Sequence, residues 1–147
     1  MKKILAPIDF SPATAHVLEA ATSLAADLDA EITLFHSIQP PTVTSDYGLA
    51  MENVQEIVAV SEKTAQRQLE HSLRMLSDRG IKAHSESAAG SAVNAIVSKA
   101  ADMDASYIVM GSHGHTALYD LLVGSTTHGV LKDSPCPVVI VPPHKDS

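Results

Sequence analysis

Residues 4–38 read ILAPIDFSPATAHVLEAATSLAADLDAEITLFHSI, and the order of patterns in this stretch decides the fold class. Ile4 to Ile8 is an apolar run suited to a buried strand, with Pro7 near its end. Ser11 then has the chemistry of a helix N-cap, and Pro12 would sit at the first helical position, where a missing N–H costs nothing. Val17, Leu18, Ala21, Leu24, Ala25 and Leu28 recur at helical spacing and form one apolar face. Glu31 to Ile38 returns to the pattern of a strand. The connection is too long for a hairpin and long enough for a crossover, so the two strands are expected to pair in parallel.

The same alternation continues outward. Gln39-Pro40-Pro41 ends the second strand, and Thr42 to Gly48 is polar and reads as a mobile loop. Val54, Ile57, Val58, Ala65, Leu69, Leu73 and Leu76 predict a helix from about Met51 to Arg79, with Glu70 and Arg74 placed as an i,i+4 pair. Gly80 supplies its stop. Ile81 to Ser87 alternates weakly, as an edge strand would, and Gly90 to Asp102 reads as an amphipathic helix carrying Val93, Ile96 and Val97. Tyr107 to Met110 is a third apolar strand, Gly124 to Asp133 a last helix, and Val138 to Val141 a last strand between Pro137 and Pro142. The expected architecture is α/β: one domain over residues 1–147, with an open, doubly wound, five-stranded parallel sheet and helices on both faces. Ligands of such sheets collect beyond the carboxyl ends of the strands where the winding reverses, which directs attention to Asp9, Ile38, Gly90 and Gly111.

The strongest local signal lies at one of those ends. Gly111-Ser112-His113-Gly114 follows the apolar strand, and after nine residues comes Gly124-Ser125-Thr126-Thr127 at a helix start. Unpaired N–H groups and the positive end of the dipole favour an anion there, and glycine lets a phosphate approach the backbone. The bland alternative is that these glycines only turn the chain and start a helix. No Lys follows a GxxxxG loop and no GxGxxG follows the first strand, so neither the P-loop nor the dinucleotide fingerprint is present.

The Gly-x2-Gly-x9-Gly-Ser spacing resembles the universal stress proteins, specifically their ATP-binding branch. Ala6-Pro7-Ile8-Asp9-Phe10-Ser11 and Pro135-Cys136-Pro137-Val138-Val139 extend the resemblance over essentially the whole chain. It implies a nucleotide-dependent regulator in stress response, with Gly114, Gly124, Ser125, Thr126 and Thr127 on the phosphates of ATP and Pro7 and Gly111 near the ribose. It further implies that Ile8, Asp9 and the backbone around Ile38 face the adenosine and that Met110 lines its pocket. His113 and His115 stand where an imidazole donates to phosphate or is merely solvated. The resemblance also implies a homodimer joined through Val138 to Val141, and four uncharged β-branched residues on an edge would be adhesive.

Composition narrows the remaining classes. The 147 residues carry a net charge of −7, with 10 basic residues scattered, and aromatics make up 3% without any Trp, which argues against nucleic acid and anionic membranes as partners. No stretch approaches the ~18 apolar residues of a membrane span, and the apolar run after Met1-Lys2-Lys3 is cut short by Pro7 and Asp9, so a cytoplasmic protein is expected. The lone Cys136 reads as a passive core thiol. No metal site built from side chains is expected, since only His113 and His115 stand close together. No Lys or Arg lies between Lys99 and Lys132, so ATP should need Mg²⁺ or Mn²⁺ on its phosphates. That gap also disfavours an enzyme; a slow ATPase, for which His113, His115 or Asp9 would be the base, and a nucleotide-free interaction protein are the alternatives. Asp9 itself has two readings, as a ligand contact or as an acceptor for N–H groups of the adjoining helix.

Overall fold

The computed structural model describes residues 1–38, 51–113 and 123–142, with the side chains of 51–61 excepted. In chain order the elements are β1 (Lys3–Pro7), α1 (Thr14–Leu28), β2 (Glu31–Ile38), α2 (Met51–Asp78), β3 (Ala83–Ala89), α3 (Ala92–Asp102), β4 (Tyr107–Gly111), α4 (Ser125–Asp133) and β5 (Val138–Val141). The Thr42 to Gly48 stretch, Gly114 and His115 lie outside the described residues.

The strands form one parallel sheet in the order β3-β2-β1-β4-β5. The chain winds from β1 outward to β3, then jumps back to lay β4 on the other side of β1. The winding therefore reverses between β1 and β4, and β3 and β5 are the edges. Alternation along the strands divides the core. Ile4, Ala6, Ile32, Leu34 and Val109 pack with Val17, Leu18 and Ala21 of α1 and Leu69 and Leu76 of α2. Leu5, Phe35, Ile108 and Met110 point the other way, onto Ile96 and Ala100 of α3 and Val130 of α4. Both faces are covered, which is why the central strands read as unbroken apolar runs.

Three helices stop by the same device. Asp29, Gly80 and Asp104 take φ of 53°, 77° and 53°. The next residue's N–H reaches back to the carbonyl five positions earlier: Ala30 to Ala25, Ile81 to Leu76 and Ala105 to Ala100, at 2.9, 3.0 and 2.9 Å. Each bonded pair is apolar, as a Schellman cap prefers.

Several boundaries differ from the sequence reading. Helix α1 starts at Thr14 and its cap is Ala13, without a side-chain bond, so Ser11 is not its N-cap and Pro12 is not its first residue. The reason is a turn: Asp9 Oδ1 accepts the Ser11 N–H at 2.9 Å, and the Ser11 carbonyl accepts the Thr14 N–H at 3.0 Å. Strand β1 runs from Lys3 to Pro7, one residue earlier than expected. Strand β3 begins at Ala83 because Ile81 is consumed by the end of α2. Helix α3 begins at Ala92, since Gly90 at φ 126° is not helical. Glu70 does not pair with Arg74; it accepts the Gln66 amide one turn upstream at 3.4 Å.

Candidate functional site

The ends of β1 and β4 bring the site together. After Pro7, the Ile8 N–H continues the ladder to the Phe35 carbonyl at 2.8 Å, and the Ile8 carbonyl accepts His36 Nδ1–H at 3.0 Å. That bond sets the tautomer of a neutral His36, leaving Nε2 as its acceptor. Phe10 then takes φ of 60°, a strained conformation for a bulky residue, and its ring lies 4.8 Å from the His36 ring at a 52° tilt. The chain reverses here and presents Asp9 at the mouth of the sheet.

At the end of β4, the Ser112 N–H bonds the Val141 carbonyl at 3.0 Å and Ser112 Oγ pairs with His113 Nδ1 at 3.1 Å. The start of α4 is stitched to the same segment. The Gly124 N–H donates to the Ser112 carbonyl at 2.7 Å, and Thr127 Oγ1 donates to the Gly111 carbonyl at 2.8 Å. The intrahelical ladder begins with His128 N–H on the Gly124 carbonyl, and no side chain caps the helix. The N–H groups of the first turn, Ser125 to Thr127, are therefore not used by the helix, as at any uncapped helix start. Gly124 has φ −73°, open to any residue, and a Cβ there would meet ordinary neighbours at 3.5 Å or beyond. The backbone does not demand glycine at this position. Gly111 differs, because a Cβ there would press to 3.3 Å on the His113 carbonyl.

These segments surround a cleft of about 530 Å³ at the point where the winding reverses. Pro7, Ile8, Asp9, Ile38, Met110, Gly111, His113, Gly124, Ser125, Thr126 and Thr127 all line it, and of the expected site residues only Gly114 lies outside the described residues. Gly90 does not line the cleft, but its N–H donates to the Ile38 carbonyl at 3.0 Å and holds that strand end in place. The sequence reading missed Ser11, Ala13, Thr14 and Val17 of the α1 side, Phe35, His36 and Ser37 of β2, and Ala92 and Ile96 of α3. The rule that ligands sit at strand ends could have found His36; the helix residues carry no such signal.

The walls differ in chemistry. Ile8, Phe35, Ile96 and Met110 make an apolar slot, and Gly124 to Thr127 present hydroxyls and the open helix start. Among the described lining residues Asp9 is the one carboxylate, and none is Lys or Arg. None exists nearby in sequence either, from Ile4 to Glu62 or from Ala100 to Leu131. Among the described residues no three His, Cys, Asp or Glu side chains converge on a possible metal site. Cys136 is half-buried against the core, its backbone tied to Ser134 Oγ.

A family model described as the Universal stress protein family matches residues 1–142. Universal stress protein MJ0531 of Methanocaldococcus jannaschii is 33% identical over 141 residues, covering 95% of this chain and 81% of the relative. The solved structure of MJ0577 from the same organism superposes with a TM-score of 0.84 at 30% identity, covering 99% of this chain and 98% of that one. A universal stress protein from Archaeoglobus fulgidus, solved in complex with dAMP, shares the fold at a TM-score of 0.67 and 20% identity, with 96% and 98% covered.

Proposed function

The chain belongs to the universal stress protein family, and from that premise we propose that it is an adenine-nucleotide-binding regulator in stress response. Its ligand is ATP with Mg²⁺ or Mn²⁺ on the phosphates, and occupancy of the cleft changes what a protein partner meets at this end of the sheet. The observation that carries the reading is the uncapped start of α4, opening into a cleft whose far wall is an apolar slot. A nucleotide has this polarity: an anionic end for the helix N-terminus and a flat, largely apolar base for the slot. The dAMP complex of the Archaeoglobus relative is consistent with it.

In this reading Gly114, Gly124, Ser125, Thr126 and Thr127 hold the phosphates with His113 beside them. Pro7 and Gly111 lie by the ribose, and Ile8, Asp9, Ile38 and Met110 surround the adenosine. The Ile38 carbonyl already accepts the Gly90 N–H, and its second lone pair is available to an adenine amino group. Without Lys or Arg among the described residues of the walls, the charge of ATP is met in this reading by N–H groups and the metal, which rests on phosphate oxygens and water. The same lack among the described residues disfavours stabilisation of a phosphoryl-transfer transition state, which favours holding the nucleotide over turning it over. We read residues 1–147 as one domain acting in the cytoplasm; no helix among the described residues is long and apolar enough to cross a membrane.

The oligomer we propose is a homodimer through β5. This strand occupies a sheet edge, and its residues alternate between the two cores, Val139 and Val141 to one and Val138 and Ile140 to the other. None of the described strands pairs with its outer side, which is where a second copy would add in this reading.

The direct test is to denature freshly purified protein and identify released nucleotide by chromatography and mass spectrometry, then melt the stripped protein with added ligands. An adenine nucleotide near unit stoichiometry is expected. ATP with Mg²⁺ at a hundredfold excess over Kd should add about 2.7 kcal/mol of stability. GTP should add less. Equal shifts with ATP, GTP and inorganic triphosphate would reduce the cleft to an anion site.

A further inference from the structure

Gly129 stands in the second turn of α4, and among the described glycines it is the one where an added Cβ would come closer than 3.0 Å to a neighbour, 2.7 Å from Val93 Cγ2 of α3. A glycine weakens a helix interior, and what this one gives in return is the close approach of α3. Neither Gly129 nor Val93 lines the cleft, but each adjoins residues that do. Ala92 precedes Val93, and Ile96, three positions on, shares its helix face. Ser125, four positions before Gly129, shares the corresponding face of α4. The contact therefore joins two elements of the cleft wall just behind the surface that a ligand would touch.

We propose that Gly129 is a positioning residue: by admitting Val93, it sets the separation between the α3 side of the apolar slot and the start of α4, and so selects an occupant that reaches both. The inference rests on the nucleotide reading of the cleft. The two helices are not held alike. The start of α4 is stitched to the end of β4 by the Gly124 N–H on the Ser112 carbonyl and by Thr127 Oγ1 on the Gly111 carbonyl, at 2.7 and 2.8 Å. Helix α3 is held further along, where Lys99 pairs with Glu86 of β3, and Val93 lies in its first turn. A side chain at 129 would have to open the 2.7 Å approach to an ordinary contact of about 3.5 Å, a shift of about 0.8 Å. Val93 does not turn aside, because a valine in a helix has essentially one χ1 rotamer. The shift falls on the first turns of α3 and carries Ala92 and Ile96 away from the slot, while the start of α4 keeps its place. Binding geometry tolerates only about 0.5 Å of such error. A ligand seated on both walls loses its fit, whereas an anion at α4 alone does not.

The experiment uses the full chain, stripped of ligand, as parent, Gly129→Ala, Val93→Ala and the double variant, each checked for folding by circular dichroism. Each is titrated with ATP plus Mg²⁺ and with inorganic tripolyphosphate plus Mg²⁺. Gly129→Ala should weaken ATP about tenfold and leave tripolyphosphate within about twofold of the parent. In the Val93→Ala background the same substitution should leave ATP within about twofold, because both methyls that it would strike are gone. A merely structural role would move the melting temperature but not the difference between the two ligands, and would show no rescue by Val93→Ala. Equal ATP affinity in the parent and Gly129→Ala overturns the proposal. So does an equal loss for both ligands, or a loss of ATP that persists in the Val93→Ala background. With a parent that binds ATP these failures dispose of the positioning role alone, whereas a parent that binds no adenine nucleotide overturns the nucleotide reading and the positioning role together.

Discussion

Replacing Gly129 by Ala should destabilise the protein even though the position is helical. A Cβ built there lies 2.7 Å from Val93 Cγ2 and 3.0 Å from Val93 Cγ1, against a comfortable carbon separation of about 3.5–4.0 Å. Val93 sits in α3, and a β-branched side chain in a helix has essentially one χ1 rotamer, so it does not swing aside. The two helices must part, and overpacking of this kind costs about 1–3 kcal/mol. Against it stands the helix-propensity gain of Gly→Ala, about 1 kcal/mol. The net expectation is a loss of about 1 kcal/mol, or about 3 °C in Tm for a chain of this size. In a Val93→Ala background both methyls are gone and the nearest remaining atom, at 3.5 Å, is an ordinary contact. There Gly129→Ala should stabilise, by about 1 kcal/mol from propensity alone. Urea unfolding of the four ligand-free proteins closes the cycle, with a coupling of about 1–3 kcal/mol. Equal stabilisation in both backgrounds would refute the close α3–α4 contact.

Three further outcomes can be checked. Gly124→Ala should fold and bind nearly as the parent, because its Cβ meets only ordinary contacts, while Gly124→Val should keep the circular dichroism spectrum and lose nucleotide binding; normal ATP titration of the Val variant would remove Gly124 from the phosphate site. Val139→Lys with Ile140→Pro should convert a dimer into a 15.5 kDa monomer in light scattering, and a monomeric parent or an unaltered dimer would dispose of the β5 interface. At the left-handed helix ends, Asp104→Gly should stabilise by about 0.5–1 kcal/mol and Gly80→Ala should destabilise by about 1 kcal/mol in denaturant melts, since both positions hold a positive φ that favours glycine.

Much of the architecture is legible in residues that carry periodic patterns. The run Tyr107 to Met110 and the face from Val17 to Leu28 announce their elements because burial on one or both sides leaves a period in the sequence. The start of α1 is not legible in that way. Ser11-Pro12 has every local mark of a helix start, yet Asp9 claims the Ser11 N–H and pushes the helix to Thr14. Such a claim depends on the turn at Phe10, which His36 helps to hold from a strand 26 positions later in the chain.

The candidate site divides along the same line. Its α4 half, Gly111, His113 and Gly124 to Thr127, is readable as sequence because the glycines and hydroxyls beside a helix start all belong to one βα unit and stand close together in the chain. The other half is assembled by pairing β1 with both β2 and β4, which brings Asp9, His36 and Met110 to one cleft from three separate strands. Side-chain periodicity specifies which faces are buried, and together with the length of the crossovers that determined a parallel sheet with helices on both faces. Which hydroxyls are left unpaired, where a Cβ would collide and between which two strands the winding reverses are properties of distances between segments far apart in the chain, and only the tertiary structure decided them.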